Sequence, residues 1–217
     1  DVDSEYDYEL LGYITPKKMG QAYHCPVFNG LSKQTTSEQL MDLGTQLNIH
    51  GIVPMFHVVG VTPEAADVHT AFLGRKDPPV VTITNEDLAQ ARAEISAGTG
   101  KADFCILGCP HLTINQVGSI AKMLDGQQLA GQLYIFTSTS TKELAQRMGY
   151  LDIIHKAGGE IVINSCVDQP CWSHLYGMSG VTESPKCAYY TKRWNMTFTV
   201  KSIPACIQSV LKGEIVS

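Results

Sequence analysis

Phe104-Cys105-Ile106-Leu107-Gly108-Cys109-Pro110-His111 (FCILGCPH) sets an apolar run against a Gly-Cys-Pro turn and a histidine. A short apolar run closed by Gly and Pro reads as a buried strand ending in a tight turn. The residues that follow, LTINQVGSIAKML (112–124), carry Thr113 and Gln116 at capping-box spacing and then a helical apolar period. Strand, turn and helix in that order is the repeating unit of a parallel α/β fold. Cys109 therefore stands at the start of a helix, where the N-terminal field favours a thiolate. Cys105 lies within the strand and is expected in the core.

The same alternation extends in both directions. Upstream, residues 35–51 predict a helix, with Thr35 and Glu38 as its capping box and Gly51 as its stop. IVPMFHVVGV (52–61) reads as a buried strand, Pro54 marking an irregular start. TPEAADVHTAFLG (62–74) reads as a helix capped by Thr62, with Pro63 in its first turn. VVTIT (80–84) reads as a strand and 86–98 as a helix capped by Asn85. Downstream, LYIFT (133–137) is a strand, residues 141–159 are helical, and EIVINS (160–165) is a strand. MTFTV (196–200) and IPACIQSVLKG (203–213) close the chain as strand and helix. The expected fold class is a layered α/β/α arrangement around a largely parallel sheet. Neither repeat nor linker divides the chain, so 1–217 is read as a single α/β region. The first thirty residues give the weakest pattern.

Composition bounds the function. The 217 residues are 44% hydrophobic and 17% charged, enough apolar content for a sizeable core. The net charge of -5 disfavours nucleic acid and anionic membranes as partners. The longest apolar stretches fall short of a bilayer span. The chain opens DVDSEYDYE, without a signal-peptide pattern or an initiator Met, and is expected to be a processed or trimmed segment. Seven cysteines, an odd number in a chain this apolar, indicate a reducing, cytoplasmic setting with thiols available for packing, metal or catalysis.

In parallel sheets ligands bind beyond the carboxyl ends of the strands. His57 and Thr62 follow one expected strand, Cys109 and His111 another, Thr137 and Ser138 a third, and Cys166 a fourth. Taken singly, His57 could be a satisfied core histidine, Thr62 a helix cap, and Thr137 and Ser138 ordinary loop residues. Together they form a constellation at strand tips. Structural zinc is disfavoured, because the closely spaced Cys105/Cys109 pair has one member in mid-strand. Cysteines on separate βα turns suit an iron–sulfur cluster better.

HVVGVTPEA (57–65), DFCILGCPHLT (103–113), INSC (163–166), SPKCAYY (184–190) and IPACIQSVLKG (203–213) together resemble the large subunit of aconitase X, in order and spacing. LLGYITPKKMG (10–20) and VFNGL (27–31) extend the resemblance over nearly the whole chain, matching the C-terminal half of such a subunit. The resemblance implies an aconitase-like fold and an iron–sulfur lyase that removes water from a small hydroxy acid. Family substrates are cis-3-hydroxy-L-proline or mevalonate 5-phosphate. It also implies a cluster, 2Fe-2S or 4Fe-4S, held by Cys109, Cys166 and Cys206, the last assigned by resemblance alone. Ser184 and Lys186 are implied as contacts for a substrate carboxylate or phosphate, and His111 and His57 are the candidate proton carriers. The implied partners are the remainder of the large subunit and a small swivelling subunit or domain that supplies a catalytic serine.

Two segments depart from the family pattern. Asn164-Ser165-Cys166-Val167 stands where the family usually has Asp-Thr-Cys-Pro. Glu183-Ser184-Pro185-Lys186-Cys187 stands where it usually has Asn-Ser-Gly-Lys-Tyr. A substrate-facing Glu183 would repel phosphate and pair with an ammonium, which points to cis-3-hydroxy-L-proline ahead of mevalonate 5-phosphate. The competing reading is a non-catalytic or degenerate subunit that keeps the fold and binds a partner chain.

Overall fold

A computed structural model describes residues 2–20, 25–76, 78–96, 98 and 100–216. The chain divides into two compact units, Asp1–Ala93 and Glu94–Ser217, and the division falls inside the helix Asn85–Ser96. No helix among the described residues is long and apolar enough to cross a membrane.

The first unit contains α1 (Glu5–Met19), β1 (Val27–Phe28), α2 (Ser37–Gln46), β2 (His57–Val58), α3 (Val68–Ala71) and most of α4 (Asn85–Ser96). In α1 every residue from Tyr8 to Pro16 is buried, so no polar face gives the segment a readable period. Gly12 lets α1 approach α2 closely, since a Cβ there would lie 2.5 Å from the Leu43 carbonyl oxygen.

Several sequence expectations shift in this unit. The capping box of α2 is Thr36 with Gln39, one residue beyond the Thr35/Glu38 pair. The strand expected over 52–61 contracts to His57–Val58, paired in parallel with Val27–Phe28. The helix expected from Thr62 begins only at Val68, capped by Asp67. VVTIT is not a strand, and Val80 is 84% exposed, so apolar character alone misled there. Thr84, ahead of Asn85, exchanges capping bonds with Asp87. The helix was expected to pass Ala97, which lies outside the described residues.

The second unit is built on β3 (Phe104–Leu107), α5 (Ile114–Leu124), β4 (Gln132–Thr137), α6 (Thr139–Arg147), α7 (Tyr150–Ala157) and β5 (Gly159–Ile163). A 3-10 segment, Pro170–Leu175, leads to β6 (Ser179–Thr182), α8 (Pro185–Tyr190), a second 3-10 turn (Thr191–Trp194), β7 (Thr197–Val200) and α9 (Ile203–Lys212). The five strands form one parallel sheet in the order β5-β4-β3-β6-β7. The helical stretch expected over 141–159 is interrupted at Gly149, which adopts a left-handed φ of 77° and separates α6 from α7.

Strand alternation divides the core. Cys105 and Leu107 of β3 point to one face, packing with Val117 and Ile120 of α5, Ile154 of α7, and Ile207 and Val210 of α9. Phe104 and Ile106 point to the other, among Phe136, Trp172, Leu175 and Cys187. Each large apolar side chain buried this way contributes roughly 1.5–3 kcal/mol. Helices on both faces of a parallel sheet give the α/β/α layering expected from the sequence.

Candidate active site

The strand order fixes where chemistry can collect. After β3 the chain crosses to β4 on one side, whereas after β6 it crosses to β7 on the other. The carboxyl ends of the neighbouring strands β3 and β6 therefore flank a topological switch point, where the outgoing connections diverge and leave a crevice. Cys109 lies just past β3, and Glu183, Ser184, Lys186 and Cys187 lie just past β6.

The turn carrying Cys109 is held from several directions. Gly108 adopts φ 114°, and a Cβ there would meet the Phe136 carbonyl oxygen at 2.3 Å. Glu183 is 4% exposed, and its Oε1 accepts hydrogen bonds from the backbone N–H of Gly108 (2.6 Å) and of Cys109 (3.1 Å). Thr182 donates its hydroxyl to Oε2 at 3.3 Å. Burial pushes the Glu183 carboxyl up, and the two backbone N–H bonds oppose that rise. Thr137, fully buried, donates to the Leu112 carbonyl at 2.6 Å and so ties the tip of β4 to the same turn. Thr137 is therefore a structural tether. Ser138 is the N-cap of α6 and accepts from the Thr141 N–H.

Three thiols share this end of the sheet. Cys109 packs against the cluster that holds Cys187, and Cys166 lines a cleft together with His111, two residues after Cys109. Burial pushes the Cys109 thiol up to about 11; a hydrogen bond with Ser184 opposes the rise, Glu183 adds to it, Lys186 opposes it and Cys166 adds to it. Burial, with Cys109 and Glu183 beside it, drives Cys187 well above the ordinary thiol range. A cation bound here must displace these protons, so its binding is linked to proton release. Ser184 caps α8 by accepting from the Cys187 N–H at 3.2 Å, which fixes that cysteine in the first turn.

Cys206, expected as a third ligand, lies on the other face of the sheet from Cys187. Its helix α9 presents Cys206, Ile207 and Val210 to the core cluster that also holds Cys105, and its thiol donates to the Lys201 carbonyl at 3.4 Å. Cys187 instead packs in the cluster on the other face, against which Cys109 also packs. Sequence reading missed Cys187 because GMSGVT offers no apolar run to announce β6. The available signal was Ser184-Pro185, a cap and N1 proline that place Cys187 one turn into a helix.

His111 lines a surface cleft of about 640 Å³ with Asn164, Ser165, Cys166, Gln169 and Cys171. Its Nε2 lies 2.9 Å from the Ser165 carbonyl oxygen. A carbonyl only accepts, so in the neutral ring Nε2 carries the proton and Nδ1 is the basic nitrogen. His57 and Thr62 belong to the first unit. There Thr62 Oγ1 bonds the Val58 backbone at 3.0 and 3.2 Å, and His57 Nδ1 lies 3.9 Å from Glu64.

Among the described residues, no three His, Cys, Asp or Glu side chains are arranged to hold a single metal ion.

Residues 1–93 match the model of the aconitase X second domain, and residues 102–212 match that of the aconitase X third domain. The chain belongs to the aconitase X family. The two matched domains follow the division into two compact units. The phosphomevalonate dehydratase large subunit of Methanothermobacter thermautotrophicus is 34% identical over 88% of the chain and 47% of its own length. The cis-3-hydroxy-L-proline dehydratase of Pseudomonas aeruginosa is 32% identical over 75% of the chain and 29% of its own length. The solved holo-form of aconitase X from Thermococcus kodakaraensis superposes with a TM-score of 0.82 at 28% identity, covering 97% of this chain and 53% of that one. The chain thus spans about half the length of these phosphomevalonate dehydratase and solved aconitase X relatives.

Proposed function

We propose that this chain is the thiol-bearing part of an iron–sulfur hydro-lyase, with Cys109, Cys166 and Cys187 as ligands to the cluster. The observation that carries the reading is the packing of Cys109 against the cluster that holds Cys187, beside a cleft lined by His111 and Cys166. When bound, the cluster supplies a Lewis-acidic iron for a substrate oxygen. The chain's own residues do the remaining work. His111 is oriented by the Ser165 carbonyl so that Nδ1 can take or return a proton. The Lys186 ammonium, close enough to Cys109 to oppose the rise in its pKa, supplies positive charge for a substrate anion. Glu183 and Ser184 hold the cysteine-bearing backbone in place.

The position of Glu183 also bears on the substrate. Its carboxylate is turned into the fold, so it cannot serve as the ammonium partner that favoured cis-3-hydroxy-L-proline. The higher identity to a phosphomevalonate dehydratase large subunit, 34% against 32% and 26% for two cis-3-hydroxy-L-proline dehydratases, supports mevalonate 5-phosphate as the substrate. That name also supports assembly with a small subunit and with the remaining half of the large one. Catalysis gains roughly 7–11 kcal/mol from holding all reacting groups in place, so the isolated chain should show no turnover. The test is anaerobic assembly with those parts, iron and sulfide analysis, and a competition assay between the two substrates. Absence of iron and sulfide would sink the cluster reading, and faster turnover of hydroxyproline would restore it as the substrate.

A further inference from the structure

We propose that Asp168 is the positioning residue for Cys166, tying its loop to the segment that follows the Cys187 helix. The inference rests on the ligand set proposed above. Of the three thiols, Cys109 sits in a turn pinned by Glu183, and Cys187 is buried in the first turn of α8. Cys166 is exposed, on the loop after β5, with neither device to fix it.

Asp168 supplies what is missing. Its Oδ1 accepts from Arg193 Nε at 3.0 Å and from the Trp194 indole N–H at 2.8 Å, while Oδ2 accepts from the second guanidinium nitrogen at 2.5 Å. All three donors come from the 3-10 turn directly after α8. On the loop side, the Asp168 N–H donates to the Cys166 sulfur at 3.4 Å, and the Trp172 indole donates to the Cys166 carbonyl at 3.2 Å. Trp194 stacks on Tyr176 at 5.8 Å with the rings 13° apart, which fixes the donor side as well. One carboxylate thus fixes the loop bearing one thiol against the turn that follows the helix bearing another. Arginine forks specify direction as well as distance, whereas lysine would supply charge without the fork. Arg193 is therefore engaged within the fold.

The Arg193 and Asp168 side chains are 58% and 22% exposed, so the pair adds little to global stability. A positioning role and a stabilising role consequently give different readouts. The test compares the wild-type chain with Asp168→Ala and Arg193→Lys by hydrogen–deuterium exchange without metal. Melting temperature, iron retention and visible circular dichroism are then measured after loading with iron and sulfide.

In both variants, exchange over 166–170 should rise by about fivefold, the scale of one exposed charge pair, with exchange at Gly108 and Cys109 unchanged. The loaded variants should melt near the wild type yet lose iron faster and show an altered visible spectrum. Unchanged loop exchange would overturn the proposal. So would faster exchange with wild-type iron retention and spectrum, because the clamp would then be structural only. If the wild-type chain takes up no iron or sulfide, the cluster reading fails, while loop exchange still decides whether Asp168 holds Cys166.

Discussion

A carboxylate buried beside the Cys109 and Cys187 thiols is an unfavourable neighbour unless its bonds compensate. Glu183 compensates by accepting from Gly108 and Cys109, two backbone donors at the turn that carries the first thiol. Glu183→Ala should cost roughly 1–3 kcal/mol for each buried N–H left without a partner. Glu183→Gln keeps a carbonyl acceptor and should restore most of that loss; urea denaturation of the three proteins makes the comparison. The cysteines divide by the same logic. Replacing Cys109, Cys166 or Cys187 with Ser should abolish cluster absorbance in the loaded protein. Cys206→Ser should keep the cluster and instead lose about 1–3 kcal/mol of stability, since it puts a hydroxyl into an apolar core. Full iron content in Cys187→Ser would show that the third ligand lies elsewhere.

At the scale of elements, the site depends on turns that tolerate few substitutions. Gly108→Ala combines a left-handed φ with a Cβ 2.3 Å from the Phe136 carbonyl. The strain alone is of order 1–3 kcal/mol. Thermal melting should register at least that loss. In the first unit, Asp87 joins α4 to α1 through Lys18 at 2.7 Å. The Lys18 hydrogen bond, followed by the Thr84 backbone N–H, holds the Asp87 carboxyl at about 2 against an ordinary 3.8. A depressed carboxyl contributes stability that is fully present above its unfolded pKa and fades as pH falls through the folded one. Melting temperature measured from pH 5 to pH 2 should therefore fall less steeply in Asp87→Asn than in the wild type, with the difference concentrated between about 4 and 2.

Over the whole molecule, the sequence determined the α/β class and the order of most elements of the second unit. β3, β4, β5 and β7 are apolar runs bounded by Gly, Pro or polar turns, and Thr113/Gln116 caps α5 as the spacing requires. Those signals are local, so they can be read without knowing what packs where. The sequence also placed Cys109 and Cys166 at strand tips, because alternation and turn chemistry decide that much. Only the tertiary structure shows that Cys187 and Cys206 lie on opposite faces of the sheet. Cys187 lies in a segment that departs from the family pattern and Cys206 in one that resembles it, and neither segment announces the face its helix covers. The same holds for Glu183, whose charge suggested a substrate contact, and for Arg193: both are engaged by the fold. Their partners, at Gly108 and Asp168, are remote in sequence and become neighbours only when the strands take the order β5-β4-β3-β6-β7. The two-unit division was hidden for a related reason. It falls within a continuous helix, where neither composition nor a breaker residue marks a boundary. Local periodicity specifies elements, whereas the burial that orients a charge or a thiol is set by long-range packing.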